Sequence, residues 1–255
     1  FSSIDYLIFG SVGRVTFDNL RFLQLVEISQ CLCVDYGGKL IECYKLSFQL
    51  AKEMIIDFHQ LTPSQIYYTM TQAVVPRPIA WVLSDHGNGN LNLAPFSYFN
   101  AVCSKPPIVS ISVGLKKCGS KKDTWINIEE RSHFVVHIPR VMDIASVLQS
   151  AESLGHGESE VEKCGLELVS FEGSPLPRLE SAPIAFYCEK HGIIPVGDGP
   201  QALILGKIHQ LYLNDEIASV EGGSPVPSIL TKAVNPLARL GANEFASVEE
   251  VEMDY

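Results

Sequence analysis

Several signals are scarce or missing in this 255-residue chain, and each absence narrows what it can be. No uninterrupted apolar run approaches the roughly 20 residues that a membrane-spanning helix needs, which argues against a helical membrane protein. Positive charge is scarce: 19 Lys and Arg stand against 29 Asp and Glu, a net charge of -10. A surface of that sign repels phosphate backbones and anionic lipid, so neither nucleic acid nor a membrane surface is an expected partner. The seven cysteines are odd in number and scattered, and no charged-then-apolar leader opens the chain. Both features point to a reducing, cytoplasmic setting. A dinucleotide fingerprint is missing too, because GSVGRV offers only Gly10 and Gly13 where three glycines between a strand and a helix are required.

Metal spacing is equally poor. Cys31 and Cys33 are one residue apart with no second ligand cluster, which reads as two core thiols. His133 and His137 lie in SHFVVHIP, a β-branched and aromatic run without a carboxylate or cysteine to complete a site, and read as ordinary strand histidines. No nucleophile stands beside a matching base, so no catalytic residue is assigned.

What remains is a globular composition, 46% hydrophobic, rich in short strand signals. Residues 1–53 are apolar and strand-like without helix caps; they read as an N-terminal extension, or alternatively as extra strands packed on the main domain. The functional unit is expected over residues 54–255. Thr62, Pro63 and Gln65 fit a helix start with a hydroxyl cap, proline at the first position and glutamine at the third. VPRPIAWV and LNLAPFSYFNAV, separated by LSDHGNGN, predict a hairpin whose Gly and Asn supply positive-φ turn positions. Pro76, Pro78 and Pro95 mark where its pairing stops, either to face a ligand or to protect an exposed edge. PPIVSISVG and HFVVHIP predict strands, a short helix is expected from Asp123 or Thr124, and another through MDIASVLQSAES. Two further strands flank the turn GDGP. Strands following one another through turns predict a mainly β fold, an antiparallel β-barrel with added helices.

One stretch reverses the charge of the chain. LKKCGSKKDT places Lys116, Lys117, Lys121 and Lys122 just before the expected helix, beside Gly119 and Ser120. A helix N-terminus presents unpaired amides and partial positive charge, so lysines and hydroxyls there make a phosphate site; the alternative is a solvated lysine loop. With the strand PPIVSISVG leading into it, this loop is expected near APFSYFN. An anion hole, the apolar surface of Pro95 and Phe96, and the polar groups of Ser97 and Asn100 would suit a flat ring with a phosphorylated tail, such as flavin mononucleotide (FMN).

The blocks VPRPIAWV, NLAPFSYFNAV, KPPIVSISVG, KKDTWINIEE, HFVVHIP, ILGKIHQLYLNDE and NPLARLGANEFA, in this order, resemble the flavin reductase-like, FMN-binding split-barrel family over residues 54–246. The resemblance implies a Greek-key split barrel, a homodimer, and one FMN per subunit near the dimer interface. By position it places Asn92, Ala94, Pro95, Phe96, Ser97 and Asn100 along the isoalloxazine ring, and Gly114, Lys122, Asp123 and Thr124 near the phosphate and ribityl chain. Arg77 is an additional cation or a structural ion pair, and Arg239, Leu240 and Gly241 close over the site. Two departures from the common pattern are Ala242 and Phe245, where the family has glycine and tyrosine, and Gly199, where many reductases carry histidine. The implied activity is hydride transfer from NADH or NADPH to flavin, alone or feeding a monooxygenase. The alternatives are an FMN electron carrier served by a protein partner and a non-catalytic ligand-binding barrel.

Overall fold

The computed structural model of the chain describes residues 3–8, 11–16, 26–34, 40–48, 54–198, 201–220 and 226–251. Two compact units are present, Phe1–Leu61 and Thr62–Tyr255. In the first, Ser3–Ile8 pairs antiparallel with Ser11–Thr16, and Val26–Val34 with Leu40–Phe48. Gly13 therefore sits in a hairpin strand rather than a strand-to-helix turn. Cys31 and Cys33 lie on the third strand, their side chains outside the described residues.

The second unit opens with helix α1, Pro63–Ala73, begun as its sequence predicts: Thr62 Oγ1 accepts the Gln65 N–H at 3.3 Å and Gln65 Oε1 accepts the Thr62 N–H at 2.9 Å. Then come strands β1 (Ala80–Asp85), β2 (Leu91–Phe96), β3 (Phe99–Ser104), β4 (Pro107–Val113), helix α2 (Asp123–Arg131), β5 (His133–Ile138), helix α3 (Ile144–Gln149), helix α4 (Glu160–Lys163), β6 (Ile184–Val196) and β7 (Gln201–Leu213). The β1–β2 hairpin forms as expected, with Gly87 at φ 77° and Gly89 at φ 94° in its turn. The expected helix through Ser153 is shorter. Only Ile144–Gln149 is α-helical, because the Ser150 hydroxyl turns back on the Val147 carbonyl (3.1 Å) and accepts the Trp81 indole N–H (2.9 Å). Gly199, in the β6–β7 turn, lies outside the described residues.

The strands form one seven-stranded antiparallel sheet in the order β2-β1-β5-β6-β7-β4-β3. Its two edge strands are consecutive in sequence, joined only by Ser97 and Tyr98. Laid flat, edges six spacings apart would be separated by roughly 29 Å. The three Cα steps from Phe96 to Phe99 span at most roughly 11 Å. The sheet must therefore curl until the edges meet at this corner, while the strands diverge beyond it. That is a split barrel, and Tyr98 pins the corner by accepting the Ser112 amide of β4 at 2.8 Å.

A curled sheet with helices outside has two buried faces, and β1 serves both. Ala80 and Val82 join Phe96, Ile111, Trp125, Phe134 and Ile204 in one core cluster, while Trp81 and Leu83 join Leu93, Val135 and Val147 in another. This explains a near-continuous apolar run where a one-sided strand would alternate. His133 and His137 are strand residues of β5; His137 is wholly buried, its Nδ1 donating to the Trp81 carbonyl (3.1 Å) and its Nε2 accepting the Leu179 N–H (3.0 Å). Burial pushes its imidazole down to about 4. Among the described residues no helix is long and apolar enough to cross a membrane.

Candidate functional site

Strand β2 is an edge, so its outward backbone groups need partners other than a strand. The Ser159 hydroxyl donates to the Leu91 carbonyl at 2.7 Å, and Glu160 Oε2 accepts the Leu93 N–H at 3.0 Å. The next outward position is Pro95, which has no N–H to satisfy. Proline therefore costs the ladder nothing here and leaves an apolar ring surface facing out, just before the corner at Ser97.

Two cavities flank that surface, and Pro95 and Ala151 line both. The first, about 280 Å³, gathers Asn92, Ala94, Phe96, Lys122, Asp123 and Thr124 of the predicted set. Its wall is completed by Lys116, Lys117, Glu160 and residues 150–154. The second, about 250 Å³, gathers Arg77, Ser97 and Arg239 with Tyr67, Ala242 and Phe245. Leu240 and Gly241 stand behind it: the Leu240 carbonyl accepts from Arg77 at 2.7 Å, and Gly241 packs on the Gln72 side chain where no Cβ would fit. Asn100, exposed on β3, and Gly114, beside Gln201, line neither cavity.

The lysine loop is a tight turn rather than an open cradle. Ser120 O accepts the Lys116 amide (2.8 Å), Lys116 O accepts the Gly119 amide (2.9 Å), and Gly119 takes φ 86°. Lys121 pairs with Glu129 at 2.6 Å and Lys116 with Asp123 at 2.7 Å. Lys122 differs. It caps α2 with its ammonium 5.5 Å from the centre of the Phe96 ring, has no carboxylate partner among the described residues, and is pushed down in pKa by burial. The first two amides of α2, on Asp123 and Thr124, likewise have no acceptor among the described residues. An uncommitted, partly buried ammonium beside free helix amides has the chemistry to hold an anion.

Behind it runs a polar network. Asn92 Nδ2 donates to Thr124 Oγ1 (2.9 Å) and Ser84 Oγ (3.2 Å), and Asn127 Nδ2 also reaches Ser84 Oγ (3.1 Å). All four side chains are buried. His156 Nδ1 donates to Asp123 Oδ1 at 2.6 Å. Burial raises the Asp123 pKa, but the hydrogen bonds from Lys116 and His156 outweigh it and hold the carboxyl below its usual range. His86, Asp123 and His156 offer three ligand atoms within 4.8 Å of one another. Both carboxylate oxygens are already taken by Lys116 and His156, however, and His86 is used by Glu158 O (3.1 Å) and Asn127 (3.5 Å), so the cluster is satisfied as a hydrogen-bond network.

Arg77 is 5% exposed, and its guanidinium donates to the carbonyls of Thr71, Val74 (2.7 Å) and Leu240. This cation clamps the chain around the corner. Sequence reading did not find Lys116 as the partner of Asp123, nor Ala151, His156 and Glu160. The last three arrive from a loop far along the chain, and nothing in local spacing signals that it packs here.

The family model of the flavin reductase like domain matches residues 71–224. An uncharacterised protein of Halalkalibacterium halodurans is 35% identical over 194 residues, 74% of this chain and 90% of that protein. The crystal structure of nitrilotriacetate monooxygenase component B from Bacillus cereus is 31% identical with a TM-score of 0.73, covering 79% of this chain and 98% of that one. That of the 2-nitrobenzoate 2-nitroreductase NbaA of Pseudomonas fluorescens is 29% identical with a TM-score of 0.70, covering 79% and 96%. A seven-stranded sheet closed at a proline corner, a helix N-terminus opening beside it, and these likenesses in sequence and fold together make the chain a member of the flavin reductase-like, split-barrel family.

Proposed function

We propose that this protein binds FMN and reduces flavin with NADH or NADPH. The observation that carries the reading is the uncommitted Lys122 ammonium beside the free amides of Asp123 and Thr124, at a cavity that shares Pro95 and Ala151 with a second one. Lys122 and the α2 amides suit a terminal phosphate. Asn92, Ala94 and Phe96 line the path from there to Pro95, and Ser97, Arg77 and Arg239 border the second cavity, where a ring system fits. A bound flavin would supply the hydride chemistry; the protein's task is to hold it, exclude water and place positive charge near its edge. We assign Arg239 as the cation for that edge: it gives one N–H to the Ala242 carbonyl and lies 4.4 Å over the Phe245 ring, whereas Arg77 is committed to three carbonyls.

Component B of a monooxygenase among the similar structures supports a role in supplying reduced flavin to an oxygenase. We also infer a homodimer: Tyr67 and Met70 on α1, Val74 just after it and Val102 on β3 are exposed apolar or aromatic side chains that a second copy would cover. Residues 1–53 serve as an extension to the cofactor-binding unit, and the free cysteines Cys103, Cys118, Cys164 and Cys188 suit a reducing cytoplasm. The test is an anaerobic visible spectrum of the protein with FMN before and after NADH, then NADPH. Bleaching well above the rate of free FMN supports the reading. A bound flavin bleached by dithionite but by neither nucleotide replaces it with an electron carrier, and a protein that takes up no FMN overturns it.

A further inference from the structure

His156 lies on a strap, residues 155–160, that is stitched to the β1–β2 hairpin. Gly157 O accepts from Asn88 (3.1 Å) and Asn90 (2.8 Å), Glu158 O accepts from His86 (3.1 Å), and Ser159 and Glu160 hold the edge of β2 as described. The turn HGNGN thus does more than reverse the chain: its polar side chains bind the strap. One further tie leaves the strap in the other direction, from His156 to Asp123 at the start of α2. Asp123 is 7% exposed and lines the lysine cavity, yet both its oxygens point into bonds, Oδ1 to His156 and Oδ2 to Lys116.

A carboxylate in the wall of an anion site is a liability, because it repels the ligand or takes the lysine the ligand needs. Asp123 has two cationic or N–H partners of its own, neither of which is Lys122. We propose that His156 is a positioning residue for the anion end of this site: it holds Asp123 turned towards the strap and Lys116, so that the partly buried Lys122 is left unpaired to meet the ligand's phosphate. The inference rests on the flavin reading for its ligand, while the tie between strap and helix stands without it. Lys116, which by sequence is one of four equivalent lysines, becomes a partner of the carboxylate rather than of the ligand.

The test is an FMN fluorescence titration of the full chain, run with amide hydrogen exchange on the ligand-free protein. The His156 side chain is mostly exposed, so His156→Ala should fold. It should raise the FMN Kd about tenfold, the worth of one charge-assisted hydrogen bond. His156→Asn keeps an N–H donor near the place of Nδ1 and should recover most of that loss. Lys116→Met combined with His156→Ala should lose less than the product of the single effects, since both act through Asp123. In exchange, the amide of Glu158, bonded to Gly155 O, and those of Trp125 and Ile126, bonded to Lys122 O, should open faster in His156→Ala and recover in His156→Asn. Wild-type affinity and exchange in His156→Ala, or no recovery in His156→Asn, would overturn the proposal. If the wild-type protein takes up no FMN, the flavin reading falls and the exchange comparison alone decides the tie.

Discussion

The Lys122 ammonium stands 5.5 Å from the centre of the Phe96 ring, which brings the first residue before α2 against the last residue of β2. The start of α2 and the proline corner therefore meet in one cavity. No carboxylate among the described residues pairs with this ammonium, whereas Lys116 is paired with Asp123.

Replacing Lys122 with methionine should weaken FMN binding by about 1.5–3 kcal/mol, the range for a hydrogen bond to a charged group. The salt dependence of binding should fall with it. Fold stability should stay level or rise, because a desolvated ammonium is removed. Titration at two ionic strengths and a thermal melt check the three outcomes.

Arg77→Ala should destabilise the Thr62–Tyr255 unit by about 2–4 kcal/mol, since several buried carbonyls lose their donor at once. Arg77→Lys should recover little, because an ammonium cannot span the same set from one position. Urea unfolding followed by tryptophan fluorescence reads this directly, both tryptophans lying in this unit.

Glu160→Gln keeps an acceptor for the Leu93 amide and should cost about 1 kcal/mol or less, whereas Glu160→Ala strands that amide at a buried edge and should cost about 2 kcal/mol. Burial raises the Glu160 pKa, so its charge helps the fold little and the neutral amide is a fair substitute. The discriminating result is the gap between the two variants in the same unfolding assay.

Acid should weaken the fold through His137. Its imidazole is held down to about 4 in the folded protein against the ordinary histidine value of 6.5, so the unfolded chain binds the proton first as pH falls. The contribution of the neutral buried ring is intact above the unfolded value and is lost progressively from there down to the folded one, in all about 3 kcal/mol. Unfolding midpoints taken across that window should drop for the wild type and drop less for His137→Gln, which lacks the titrating group.

The elements were legible where their determinants are local. Thr62 with Gln65, Gly87 with Gly89, and the β-branched run around Val135 each act over a few residues and appear as predicted. So did the meeting of the lysine helix with APFSYFN, because β3 leaves the corner and β4, paired antiparallel with it, leads back to the lysine loop. The commitments of individual charges were not legible. Whether Lys116 or Lys122 is the free ammonium depends on where Asp123 turns, and that depends on His156, reached only through a strap folded back from beyond α3. Arg77 likewise meets Leu240 across most of the chain. Asn100 and Gly114 follow the family pattern in sequence, while the geometry sets them outside both cavities.

The link of Ser97 and Tyr98 has a mechanical meaning. It is a seam: Pro95 and the cavities beside it belong to the β2 rim, while the two-residue link alone draws the β3 rim up to it. Inserting a few glycines after Tyr98 should let the rims drift apart at the cost of a longer loop, without altering any side chain that lines either cavity.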